Sequence, residues 1–167
     1  MTSFKLGLLA VLVAACSKST PAPATPITDP VPMTEDTKAA ARTPATAMLA
    51  AYERARAHLA ADELAGVPEA AREIAATATE GQYPAIARGA ATLAAAKDLD
   101  AARDAFGTVS RELITLLASN PALAKGQHVF ECPMVSGYRK WVQPSENLEN
   151  PYMGKQMLAC GGESSWK

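Results

Sequence analysis

Apolar residues recur at helical spacing in four stretches of the chain, which predicts four amphipathic helices. Thr43 and Asp98 are N-cap residues at the start of the first and fourth stretches, and Asn120-Pro121 is a stop signal after the fourth. The predicted helices cover about residues 43–62, 67–79, 84–96 and 98–119. Their predicted inward-facing residues are Met48, Tyr52, Ala55, Leu59, Ala71, Ile74, Ala78, Ile86, Ala90, Leu93, Leu99, Ala102, Phe106, Val109, Leu113 and Leu116.

Short connections between four amphipathic helices predict an up-down-up-down arrangement. The expected fold class is therefore all-α: an antiparallel four-helix bundle over residues 44–125, with a C-terminal irregular Cys/Met-containing segment over residues 126–167 packed on it. Aromatic residues make up only 5% of the chain, and alanine is abundant. That composition argues against a β-sandwich, whose strands prefer β-branched and aromatic residues.

The C-terminal segment, residues 126–167, is rich in Gly and Pro and is predicted to be mostly loop with a short hairpin and a short helix. The hairpin pairs residues 129–132 with residues 138–142. Asn150-Pro151 resembles an N-cap and a first helical residue, and a helix over residues 151–160 would end at Gly161-Gly162.

The sulfur-containing residues of this segment form the candidate site. In the predicted helix, Met153, Met157 and Cys160 follow the spacing i, i+4 and i+7 and lie on one face. Cys132 and Met134 are two residues apart, so in an extended segment they point to the same side. The segment can therefore gather two thiols and three thioethers.

Soft sulfur ligands favour Cu(I), with Ag(I) by the same reasoning, over hard cations such as Ca²⁺ and Mg²⁺. Zinc is a further candidate through the two cysteines and His128, four residues before Cys132. The alternative is a disulfide between Cys132 and Cys160, which is the usual state of paired cysteines in an oxidising compartment. It would close a long loop and stabilise the fold by roughly 3 kcal/mol, with the methionines packing on Trp141.

The N-terminus indicates export and lipid attachment. Residues 1–15 have one lysine, an apolar stretch over residues 6–13 and small residues before Cys16, which is typical of a bacterial lipoprotein signal peptide. Acylated Cys16 would hold the chain to the membrane, and Ser17 after it favours the outer membrane, facing the periplasm. Residues 16–43 are rich in Pro, Ala and Thr and are predicted to be a disordered tether.

The charge of the chain excludes one large class of partner. Lys and Arg total 16 of the 167 residues and Asp and Glu total 17, so the net charge is -1. A near-neutral chain has no electrostatic reason to bind nucleic acid.

The sequence also has no Cys-x-x-Cys pair, nucleophile elbow, phosphate loop or His-rich metal motif. We therefore expect a protein that is not an enzyme.

The C-terminal motifs resemble those of a bacterial family of envelope domains of unknown function, which often occur with, or fused to, the periplasmic adaptor proteins of copper and silver efflux pumps. The resemblance covers about residues 46–163. It rests on Cys132-Pro133-Met134, Trp141-Val142, Asn150-Pro151-Tyr152, Gly154, Met157-Leu158 and Cys160-Gly161, together with Tyr52, Leu59, Arg103, Phe106, Ser110 and Leu113.

This resemblance implies a helical domain associated with heavy metals, in which Cys132, Met134, Met157 and Cys160 occupy the motif positions. The role of Met153 rests on helical spacing alone. Because the chain has no adaptor hairpin or barrel domain, the resemblance implies sequestration or transfer of copper, with copper efflux or chaperone proteins as partners. The alternative is a structural or protein-interaction module of the envelope stapled by a Cys132–Cys160 disulfide.

Overall fold

The computed structural model describes residues 43–167, and the predicted signal peptide, the lipidation site at Cys16 and all of the tether except its last residue lie outside them. The helices are α1 (Pro44–Ala60), α2 (Val67–Glu80), α3 (Pro84–Ala94), α4 (Leu99–Ala118) and α5 (Pro121–Ala124). The strands are β1 (His128–Glu131), β2 (Lys140–Gln143) and β3 (Gly162–Glu163). Two 3₁₀ turns cover Leu64–Gly66 and Gly154–Met157.

The four long helices begin where their local signals predict. The side chain of Thr43 accepts the N–H of Thr46 at 3.2 Å, and Asp98 accepts the N–H of Ala101 at 2.8 Å. Each side chain satisfies a backbone donor that the first turn of a helix leaves without a partner. The predicted positions of α1 to α4 are confirmed, whereas α5 is an additional short helix that begins at Pro121.

The prediction of an all-α four-helix bundle is wrong. Helices α1 to α4 pack in chain order, each on the next, and α1 makes few contacts with α4. Strand β2 packs against α4 and also touches α1, so the sheet fills part of the space that a closed bundle would use. The physical reason lies in the size of the side chains: the helices are rich in alanine, and the large rings that complete the core come from the C-terminal segment.

Five rings, from the helices and from the C-terminal segment, form a continuous series of aromatic contacts between the helices and the sheet. Tyr52 of α1 stacks on Phe106 of α4 with ring centroids 4.8 Å apart. The series continues through Tyr152 and Trp141 to Phe130 of β1, with centroid separations near 6 Å. Trp141 is fully buried. Aromatic contacts of this kind stabilise a core beyond the apolar area that they bury.

The three strands form an antiparallel sheet in the order β2-β1-β3. The predicted hairpin is confirmed, since Val129 pairs with Val142 and Phe130 pairs with Trp141. Strand β3 was not predicted, because two residues are too few to produce a recognisable pattern. It places the end of the chain beside β1, with Glu131 paired to Gly162.

The predicted helix over residues 151–160 is also wrong. The backbone there forms turns and the 3₁₀ turn Gly154–Met157. Gly154 has a φ of 58°, outside the α-helical region, and the N–H of Lys155 donates to the carboxylate of Asp62 at 3.0 Å. An amide that is bonded to another part of the fold is not available for a regular helical hydrogen bond.

Among residues 43–167, no helix is both long and apolar enough to cross a bilayer.

Candidate metal centre

The structure brings the thiols of Cys132 and Cys160 into contact. Cys132 directly follows β1, its N–H donates to the carbonyl of Arg139 at 3.1 Å, and its side chain is completely buried. Cys160 lies just before β3 and is partly exposed. The two side chains interact through a hydrogen bond, and both are free thiols. One member of the pair therefore faces the core, whereas the other reaches the surface.

Sheet pairing explains why residues 28 positions apart meet. The β1–β3 register pairs Glu131 with Gly162, so one step further along both segments Cys132 lies beside Gly161, the residue that follows Cys160. Cys160 itself lies outside β3, so its side chain is not bound to the alternation of a strand and meets Cys132. A Cβ on Gly161 would lie 2.8 Å from the carbonyl oxygen of Glu131. The glycine thus allows the close backbone approach that joins the thiols.

The contact between the thiols changes the acidity of the exposed one. The hydrogen bond with Cys132 is the main cause that raises the pKa of Cys160 above its ordinary value, and desolvation acts in the same direction. A neutral thiol is therefore favoured at Cys160 while the pair is free. An ion that binds thiolates must displace this proton, so its apparent affinity rises with pH.

Asn150 holds the loop that carries Cys160. It is completely buried, and its side-chain oxygen accepts the N–H groups of Tyr152 at 2.8 Å and Met153 at 3.2 Å. Its side-chain amide donates to the carbonyl of Cys160 at 2.7 Å, and its own N–H donates to the carbonyl of Leu158 at 2.7 Å. One asparagine therefore ties the beginning of the loop to its end.

Two arginines fasten the same loop to the helices. Arg56 of α1 donates to the carbonyl of Glu149 at 2.8 Å and pairs with its carboxylate at 2.9 Å. Arg103 of α4 donates to the carbonyl of Pro151 at 3.0 Å and pairs with Asp62 at 2.5 Å. The hydrogen bonds that Asp62 accepts from the Lys155 N–H and from Arg103 lower the pKa of its carboxyl. The position of Cys160 is thus set by contacts with α1, α4 and the loop after α1.

Cys132 and Met134 do not lie in an extended segment, contrary to the prediction. The N–H of Val135 donates to the carbonyl of Cys132 at 3.2 Å, which closes a turn over residues 132–135. The side chain of Met134 is 64% exposed and lines a cleft of about 330 Å³ together with Met153. The remaining walls of this cleft are Asp100, Arg103, Asp104, Val135, Ser136, Tyr138 and Tyr152.

Met157 lies three residues before Cys160 in the chain. It ends the second 3₁₀ turn, its side chain is partly exposed, and its carbonyl accepts the N–H of Cys160 at 2.9 Å. The expected single helical face of Met153, Met157 and Cys160 does not exist, because the α-helix that would create it is absent. Met157 is therefore one turn from the thiols, whereas Met134 and Met153 line the separate cleft.

His128 lies at the other end of β1 from Cys132, about 13 Å away along an extended strand. Its imidazole Nδ1 is 4.0 Å from the carboxylate of Glu163. Within residues 43–167, no three side chains of His, Cys, Asp or Glu are grouped so that they could hold a metal ion. The expected zinc site of His128 with the two cysteines is therefore not formed in this part of the chain, and zinc usually takes four such ligands.

Sequence reasoning missed the residues that support the thiol pair. Asn150 was identified as an N-cap, and its side chain does accept the amides two and three residues later, as an N-cap does. Asp62 carries no local signal, and Arg103 entered only through the family resemblance, because these residues act on a loop 93 and 48 positions away.

No protein-family model, curated protein or solved structure matches this chain. The resemblance to the copper-associated envelope family, and what it implies, therefore remains a prediction.

Proposed function

We propose that this protein is a non-enzymatic lipoprotein of the bacterial envelope that binds one soft metal ion, Cu(I), for sequestration or transfer. The thiolates of Cys132 and Cys160 are the principal ligands. The observation that carries the proposal is the contact between these thiols, which sequence-distant parts of the fold hold together.

The composition of the site favours Cu(I) over harder ions. Thiolates and thioethers prefer soft cations, whereas Ca²⁺ and Mg²⁺ require several oxygen ligands. Two thiolates are enough to hold Cu(I). Within the described part of the chain no group of three His, Cys, Asp or Glu side chains is present, and Cu(I) does not require one. Ag(I) fits the same donor set.

Met157 is the proposed auxiliary ligand. It lies one turn before Cys160 and is partly exposed, so its unbranched side chain is free to approach the ion. A thioether is neutral and binds more weakly than a thiolate. It would complete the site while allowing the ion to pass to a partner protein, as a carrier of copper requires.

The anchor and the location of the protein follow from the lipobox-like N-terminus. Acylated Cys16 would tether the metal-binding domain to the outer membrane, and the tether would let it reach copper efflux or chaperone proteins in the periplasm. A tethered carrier encounters such partners at a raised local concentration.

A Cu(I) titration tests the proposal. The full chain carrying Cys16→Ser, purified reduced in detergent, is titrated without oxygen against a chromophoric Cu(I) chelator. We expect one ion per chain, a loss of affinity of at least about 100-fold in Cys132→Ser or Cys160→Ser, and a smaller loss in Met157→Leu. Met134→Leu is the matched control and should bind like the parent. Parental affinity in the double variant Cys132→Ser/Cys160→Ser would refute the site.

A permanent disulfide between the same cysteines is the second candidate, since thiols in contact are also partners for oxidation. It would make the protein a stapled interaction module. The native lipidated chain, isolated with an alkylating reagent present, distinguishes the two candidates. A disulfide in every molecule, together with no bound copper, supports the staple, whereas free thiols or bound copper support the metal site.

A further inference from the structure

The two thiols that meet at the end of the sheet differ in access, and this difference determines what they can do besides binding an ion. Cys132 has no exposed surface, while Cys160 is partly exposed. A thiol or disulfide from outside therefore reaches Cys160 first. The pairing of β1 with β3 places Cys132 beside Gly161, the residue after Cys160, so the buried thiol meets Cys160 from the protein side.

We infer that Cys160 and Cys132 form an ordered thiol–disulfide exchange pair, in which Cys160 reacts with a small external disulfide and Cys132 resolves the product. One consequence of this inference, that oxidation of the pair regulates copper binding, rests on the proposed function. The exchange itself needs no metal.

The reaction has two balanced steps. The Cys160 thiol first loses its proton to the solvent, and the resulting thiolate attacks one sulfur of a disulfide RSSR. The S–S bond breaks, and the departing thiolate takes a proton from the solvent and leaves as RSH. Cys132 then attacks the Cys160 sulfur of the mixed disulfide, and the second RSH leaves with the proton of Cys132. The protein loses two hydrogens and two electrons, and RSSR gains both as two molecules of RSH.

The second step is favoured by the way the structure holds both sulfurs. Cys132 is fixed at the end of β1 by its hydrogen bond to Arg139. Cys160 is fixed by hydrogen bonds of its N–H to Met157 and of its carbonyl to Asn150. Two groups held in contact react at a high effective concentration, because the entropy of bringing them together is already lost on folding.

Because both reactions use the same two sulfurs, disulfide formation and copper binding are mutually exclusive. A disulfide uses the lone pairs and the charge of both thiolates, so an oxidised pair cannot hold Cu(I). An oxidising envelope would thus switch the site off, and a reductant of the dithiol class would restore it. The Cys132–Cys160 bond is then a reversible state of the site instead of a permanent staple.

The test uses oxidised glutathione as the disulfide and involves no metal. The full chain with Cys16→Ser is reduced, mixed with oxidised glutathione without oxygen, quenched in acid at intervals, and analysed by mass spectrometry with peptide mapping. We expect the parent to lose two hydrogens and to show little adduct. Cys132→Ser should accumulate one glutathionyl group on Cys160, because no thiol remains to resolve it. Cys160→Ser should react more slowly by about tenfold or more, since Cys132 reacts only after local opening.

A second measurement guards against variants that do not fold. Each variant is also reacted in urea, where Cys132 is exposed and should react as fast as Cys160. Equal rates for Cys132→Ser and Cys160→Ser in buffer, with faster reaction of Cys160→Ser in urea, would overturn the order, as would a parent that keeps its glutathionyl group. If Cys160→Ser reacts at the same rate in buffer and in urea, burial does not protect Cys132, and that result also overturns the proposed order. None of these outcomes depends on whether the protein binds copper.

Discussion

Replacement of Asn150 by alanine tests whether one side chain holds the loop that carries Cys160. The substitution removes three hydrogen bonds, to the N–H groups of Tyr152 and Met153 and to the carbonyl of Cys160. Asn150 is completely buried, so water does not readily replace it. At about 1 kcal/mol for each backbone group left without its partner, the cost is about 3 kcal/mol. For a domain of this size we expect the melting temperature to fall by roughly 10 °C.

Asn147→Ala is the matched control. Asn147 lies in the same connection between β2 and the loop, is exposed, and makes no side-chain hydrogen bond within residues 43–167. Its replacement should change the free energy of unfolding by less than about 0.5 kcal/mol. Urea denaturation followed by tryptophan fluorescence measures both variants, because Trp141 is buried beside the loop.

Asn150→Asp separates the two halves of the asparagine side chain. The carboxylate can still accept the amides of Tyr152 and Met153, but it places an oxygen against the carbonyl of Cys160. We expect the loss in free energy of unfolding caused by Asn150→Asp to become smaller as the pH falls, since a protonated carboxyl can donate to that carbonyl again. The reasoning would be refuted if Asn150→Ala were as stable as Asn147→Ala, or if Asn150→Asp were independent of pH.

Two further predictions concern the loop and the core. Gly154→Ala should lower the melting temperature more than Gly126→Ala does. Both glycines have positive φ, but a Cβ at position 154 would collide with the Asp62 carboxylate, whereas nothing lies within 4 Å of a Cβ at position 126. Equal decreases in melting temperature would contradict the collision. Burial raises the pKa of Tyr52 and Tyr152 above the ordinary value of about 10. The unfolded chain therefore loses these protons first, and the free energy of unfolding should fall above pH ~10 by about 1.4 kcal/mol per pH unit for each tyrosine; urea midpoints that stay constant between about pH 9 and pH 11 would contradict this.

Local signals predicted the helices, whereas contacts between distant residues decided the architecture. Thr43 and Asp98 cap their helices through residues only three positions away, so the sequence pattern contains all the information needed. The bundle was predicted from the helices alone. It was wrong because Phe130, Trp141 and Tyr152 complete a core that alanine-rich helices leave unfilled.

The candidate site was predicted in part for the same reason. The structure brings together the pair Cys132 and Cys160, but it separates Met134 and Met153 from them. The helical spacing of the sulfurs was correct as arithmetic, yet it required a helix that Gly154 and the bond between Lys155 and Asp62 prevent. A partner 93 positions away leaves no trace in a local pattern.

The thiol pair joins parts of the molecule that are stabilised by different interactions, which has a thermodynamic consequence. Cys132 belongs to the sheet and its aromatic core, and Cys160 belongs to a loop held by Asn150, Arg56 and Arg103. A bound ion or a disulfide adds a covalent or coordinate link between these parts and opposes their separation on unfolding. By linkage, a substitution that loosens the loop would weaken the binding of an ion that binds the folded arrangement and not the unfolded chain. The same substitution would lower the effective concentration of the two thiols for oxidation. If the protein binds copper as proposed, its stability, copper affinity and ease of oxidation are therefore coupled through the position of one residue, Cys160.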